Sequence, residues 1–116
     1  MLRLRWRDYR TRAGARPVND FIESLTDEEA ACVVAAMKEV ATDGMAFARQ
    51  VRDEVYEVRA FGPTRSFRIL FAKETKFVLL SLSAFVKKTA RTPVSELELA
   101  VDRLKDWRIR GRRGSS

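Results

Sequence analysis

Between residues 55 and 86 the chain carries three strand-like runs separated by two short turns, and this stretch limits the possible folds more than any other. Val55 to Ala60 alternates bulk and polarity, and Phe61-Gly-Pro-Thr64 has turn chemistry. Ser66 to Ala72 is a second run, closed by the turn Lys73-Glu-Thr-Lys76. Phe77 to Val86 is apolar on both faces, as expected of a strand buried in the middle of a sheet. Strands joined by connections this short pair as antiparallel neighbours, so the second half of the chain is predicted to form a three-stranded meander.

The flanking segments use other periodicities. Leu2, Leu4 and Trp6 alternate with Arg3, Arg5 and Arg7, the pattern of a half-buried N-terminal strand. A loop from Thr11 to Arg16 follows, with Gly14 in its middle. Pro17 suits the first position of a short helix ending near Leu25. Thr26-Asp-Glu-Glu29 reads as a capping box opening a longer helix, with Ala30, Val33, Val34, Met37, Val40 and Ala41 on its apolar side and Gly44 as terminator. After the meander, Lys87 to Arg91 leaves the sheet. Thr92-Pro93 then starts a last helix with Val94, Leu97, Val101, Leu104 and Trp107 on one stripe. The expectation is an α+β fold with a layer of helices on one face of a sheet, a single domain over residues 1–107 and a frayed basic tail over 108–116. A chain of 116 residues supports one such core.

Composition narrows the chemistry. There is no His, which excludes histidine triads, proton shuttles and metal sites, and Cys32 stands alone, which excludes disulfides and paired-cysteine zinc sites. No phosphate-binding loop, dinucleotide fingerprint or metalloprotease pattern is present, so neither cofactor nor metal is expected. The N-terminus lacks an apolar signal stretch and no run approaches membrane-spanning length; the expected location is the cytoplasm, with no membrane partner. The net charge of +7 is unevenly sorted, with six Arg and one Asp in residues 1–16 against one Lys and seven acids in residues 17–48. Arg outnumbers Lys 17 to 6. Guanidinium groups suit bidentate contact with phosphate, which makes nucleic acid the leading partner class.

The meander gathers the remaining chemistry. Side-chain alternation places Glu57 and Arg59 on one face of their strand and Arg68 on the matching face of the next, with apolar residues opposite. These three are expected together on the open side of the sheet, and Lys87 and Lys88 emerge where the last strand ends. Cations around one carboxylate are what cleavage of a phosphodiester by its neighbouring 2′-hydroxyl requires. The cations neutralise the charged transition state, and a base accepts the hydroxyl proton. The same Arg–Glu pattern also occurs as a solvated cross-strand ladder without chemistry. Trp6, Tyr56 and Trp107 read as core residues, and Cys32 as a small buried hydrophobe.

Val55-Tyr-Glu-Val-Arg59, Phe67-Arg-Ile-Leu-Phe71 and Ala84-Phe-Val-Lys-Lys-Thr89 with Thr92-Pro93, in that order, resemble the phage-derived HigB-like branch of the RelE/ParE toxin superfamily. That branch typically shows "YElR", "yRilY" and "gFvKKtqktP" before a final helix, and Pro17-Val-Asn-Asp-Phe21 is similar to its "sPveeFl". The resemblance spans Pro17 to Trp107 and implies the toxin of a type II toxin–antitoxin pair, a ribosome-dependent mRNA endoribonuclease held inactive by a cognate antitoxin, expected to be a helix-turn-helix protein. It implies ribosome and mRNA as further partners. Carried over residue by residue, it makes Arg59, Arg68, Lys87 and Lys88 the catalytic cations. The residues themselves add Glu57 as candidate base and Arg65 and Arg91 as RNA-binding candidates. The sequence departs from the pattern at Ser83, where the family often has His, and at Phe71, where it has Tyr. A ParE-like topoisomerase inhibitor without catalysis and a catalytically inactive RNA-binding relative are the rival readings.

Overall fold

The computed structural model describes residues 3–114, with side chains described as far as Gly111. The chain runs β1 (Arg5–Asp8), α1 (Pro17–Glu23), α2 (Asp27–Asp43), a 3₁₀ turn (Met45–Phe47), β2 (Arg49–Arg52), β3 (Val55–Phe61), β4 (Ser66–Lys73), β5 (Val78–Val86) and α3 (Val94–Gly114). The strands form one mixed sheet in the order β1-β5-β4-β3-β2, with β1 parallel to β5 and every other pair antiparallel. The α+β class and the meander are as expected. Leu2, assigned to the first strand, lies outside the described residues.

Three features differ from expectation. A short edge strand, β2, joins β3 through a two-residue turn in which Asp53 adopts φ 46. The helices also cover both faces of the sheet instead of one. Val18, Val33, Met37 and Val40 of α1 and α2 pack on Val58, Phe67, Ile69, Phe71 and Leu79, while Leu97, Ala100 and Leu104 of α3 pack on Val55, Leu70, Ala72, Leu80 and Leu82. Burial of a large aliphatic side chain is worth about 1.5–3 kcal/mol, so a second apolar sheet face cannot stay wet, and α3 is the element left to cover it. Finally, α3 continues past Trp107 to Gly114, so the expected tail begins as helix. Arg108 bonds both Glu54 and Glu74, which fastens that turn of α3 to the sheet. Residues 115–116 of the tail lie outside the described residues.

A bulge opposite Leu70 and Phe71 shapes the end of β5. Before it Leu80 pairs with Ala72, and after it Ser83 pairs with Leu70 and Phe85 with Arg68. The extra residue resets the alternation and turns Phe85 to the same face as Arg68.

The predicted capping box is present. Glu29 N donates to Thr26 Oγ1 and Thr26 N donates to Glu29 Oε1, both at 3.2 Å. Glu29 also receives a forked pair from Arg65, with both contacts at 2.9 Å, and this ties the β3–β4 turn to the start of α2. The Arg65 bonds, with the Thr26 amide behind them, pull the Glu29 carboxyl down from 4.5 to about 2. A depressed carboxylate contributes stability that is full above its ordinary pKa and is lost as pH falls through the folded value. Arg65→Met is therefore expected to abolish most of the stability that Glu29 loses between about pH 4.5 and 2. Acid-unfolding curves of the two proteins would show the gap between them narrowing over that window. Parallel curves would contradict the pairing.

Candidate active site

Three adjacent strands bring guanidinium groups around one buried carboxylate. In the β3–β4 register Arg59 stands directly opposite Arg68, and in the β2–β3 register Arg49 stands opposite Glu57. Glu57 Oε1 lies 3.4 Å from Arg68 Nε, 3.5 Å from Arg49 Nη2 and 3.8 Å from Arg59 Nε. The other carboxylate oxygen accepts a hydrogen bond from the Thr92 hydroxyl. Arg68 Nη1 donates to the carbonyl of Phe67 at 3.2 Å, which fixes the guanidinium plane against the sheet.

This face is not the open surface that side-chain alternation suggested. Glu57 is 1% exposed and Arg68 4%, because the segment from Lys87 to Pro93 lies across them. Half-exposed Arg59 and Arg49 form the outer wall of the resulting cleft. Burial lowers the pKa of Arg68 below its ordinary value, the Glu57 carboxylate opposes that shift, and the neighbouring Arg59 and Arg49 add to it. A guanidinium stays charged through such a shift, so the cleft holds a cation with little water around it. Fixed charge in dry surroundings acts strongly on an anion that enters. A solvated ladder does not fit a carboxylate and an arginine buried this deeply.

Of the candidates, Glu57, Arg59, Arg68, Lys87, Lys88 and Arg91 all line this cleft. Arg65 does not. Its guanidinium is committed to Glu29 and lies 5.5 Å over the Phe67 ring, which belongs to the core under α1 and α2. Ser83, at the position where relatives often carry His, donates its hydroxyl to Glu96 Oε1 at 2.6 Å. Phe71 is fully buried against Trp6 and Tyr56. Neither residue is placed to move a proton in the cleft.

The residue-by-residue reading missed two contributors. Arg49 went unseen because Arg49-Gln-Val-Arg52 is too short and polar to signal a strand; the two-residue turn preceding Val55 was the available cue. In the sequence Thr92 is a helix start and part of the family motif, and nothing local announces a contact made across 35 positions of sequence.

Among the described residues no three His, Cys, Asp or Glu side chains come together as a metal site, and no helix is long and apolar enough to cross a membrane. The chemistry available is electrostatic: four or more cations around one carboxylate, in a cleft sized by a seven-residue segment.

Comparison with known proteins gives the chain a family and named relatives. Proteins named "Probable endoribonuclease HigB1" from the CDC 1551 and H37Rv strains of Mycobacterium tuberculosis are each 27% identical to the chain over 106 residues, covering 89% of it and 84% of the relative. This bears out the resemblance to the HigB-like branch. The profile of the family described as "Phage derived protein Gp49-like (DUF891)" matches residues 20–105, a span that runs from α1 through the whole cleft to the body of α3, and the chain belongs to that family.

Proposed function

We propose that the chain is the toxin of a toxin–antitoxin pair and acts as a ribosome-dependent endoribonuclease on mRNA. The observation that carries this reading is the gathering of Arg49, Arg59, Arg68, Lys87, Lys88 and Arg91 around Glu57 in one cleft. The endoribonuclease name of the Mycobacterium tuberculosis relatives supports it from outside the structure.

In this reading a 2′-hydroxyl attacks the adjacent phosphorus and the 5′-oxygen leaves. Arg59 and Arg68 stabilise the charge on the nonbridging oxygens, while Lys87 and Lys88 hold the flanking phosphates. Among the described residues, Glu57 is the only carboxylate lining the cleft. At 1% exposure it reaches a substrate hydroxyl only if Lys87 to Arg91, ahead of the fixed Thr92, move aside, so its contribution as base depends on that motion. Basic residues elsewhere suit contact with ribosomal RNA phosphates, and a cognate antitoxin has to mask the cleft charge for the host cell to survive.

Expression of the chain without its antitoxin is expected to halt growth with translation arrested and mRNA fragmented. Intact mRNA with stalled DNA replication would overturn the ribonuclease reading and favour a topoisomerase target.

A further inference from the structure

Glu57 is held differently at its two oxygens. Oε2 accepts from Thr92, whereas Oε1 is buried without a hydrogen bond although three guanidinium groups stand within 3.8 Å. Charge-assisted N–H···O bonds ordinarily close to about 2.7–2.9 Å. Elsewhere in this chain they do so: Arg65 reaches Glu29 at 2.9 Å and Arg108 reaches Glu74 at 2.8 Å. A buried acceptor left unbonded beside ready donors is unfavourable, so some other contact restrains the carboxylate.

Among the described residues, Thr92 makes the hydrogen bond able to do this. It immediately precedes Pro93, whose carbonyl accepts from the Glu96 and Leu97 amides in the first turn of α3. Leu97 is buried against the sheet, so the hydroxyl projects from a fixed point. We propose that Thr92 is a positioning residue that holds Glu57 back from Arg68, Arg59 and Arg49, leaving their N–H groups available to a phosphate of a nucleic-acid strand. This rests on the RNA reading above. Without the hydroxyl, the carboxylate swings onto the guanidinium groups as a forked pair and occupies the place of the incoming phosphate.

Thr92→Val keeps the shape and removes the donor, Thr92→Ser keeps the donor, and Thr92→Ala replaces valine if its methyl group disturbs the fold. The first readout is the Arg68 and Arg59 Nε–H resonances in ¹⁵N spectra. They are expected to shift downfield and exchange more slowly with water in the valine protein, and to match wild type in the serine protein. The second is affinity for a fluorescent oligodeoxynucleotide, which has no 2′-hydroxyl and stays uncut. Valine is expected to weaken binding at least about tenfold and serine less than about threefold, the scale of a charged hydrogen bond gained or lost. In a Glu57→Gln background the same valine substitution is expected to cost nothing more, because a neutral amide has no charge to swing. Unmoved Nε–H resonances in the valine protein, or equal losses for serine and valine, would overturn the proposal. If wild type cuts no RNA while the resonances still move, the ribonuclease reading fails and the positioning role of Thr92 stands.

Discussion

Arg68→Ala is expected to lower the stability of the protein by about 3 kcal/mol, a cost typical of removing one partner from a buried ion pair. Arg68 is 4% exposed and its partner Glu57 1%, so truncation leaves a carboxylate in a dry site with less compensation. Arg49 and Arg59 still face Oε1 at 3.5 and 3.8 Å, which holds the loss near the low end for such pairs. Side-chain alternation alone suggests the reverse, an exposed sheet arginine whose removal leaves folding intact. The covering segment from Lys87 to Pro93 changes that outcome. Denaturant unfolding checks the point, and the double variant Glu57→Leu with Arg68→Met is expected to recover stability to within about 1 kcal/mol of wild type, since apolar replacements of similar volume dispense with a buried pair at little cost. A single Arg68→Ala variant as stable as wild type would mean that the pair is wetter than its burial indicates.

Arg59→Ala isolates catalysis from folding. Its side chain is 48% exposed, and its contact with Glu57 is the longest of the three at 3.8 Å, so little stability depends on it. As an outer-wall cation directly opposite Arg68, it faces any phosphate that enters. Loss of one preorganised donor to a developing oxyanion typically lowers rate about 10²–10³-fold, and mRNA cleavage by Arg59→Ala is expected to fall by at least a factor of about 10². Its melting temperature is expected to stay within about 2 °C of wild type, as befits an exposed pair. Near-normal cleavage by the folded variant would remove Arg59 from the site. The effect then has to come from Arg68 and the lysines alone.

The parts of the fold legible in the sequence are those set by local rules. Thr26 and Glu29 form the capping box their spacing predicts, and Gly44 ends α2 at φ 92. The alternation in β3 and β4 correctly puts Glu57, Arg59 and Arg68 on one face. What alternation cannot tell is what covers that face. The placement of α3 depends on Leu70, Ala72, Leu80 and Leu82 needing cover, which is a property of the assembled sheet. The burial of Glu57 follows from that placement. Arg65 lies outside the cleft for a related reason: its partner Glu29 already has a local role in the cap, and only the tertiary fold shows one carboxylate serving both. Arg59, Arg68, Lys87 and Lys88 lie in the family-like motifs, whereas Arg49 and Thr92, which complete the ring around Glu57, are brought there only by the tertiary fold.

In the proposed reaction this cleft directs a 2′-hydroxyl against the adjacent phosphodiester. Its most direct test is the end chemistry of mRNA incubated with the purified protein on programmed ribosomes. Fragments bearing a 2′,3′-cyclic phosphate and a 5′-hydroxyl are expected, with cleavage abolished by a single 2′-deoxy substitution at the cut nucleotide and slowed by Arg59→Ala. Fragments bearing 5′-phosphates, or cleavage that persists through the 2′-deoxy substitution, would contradict it.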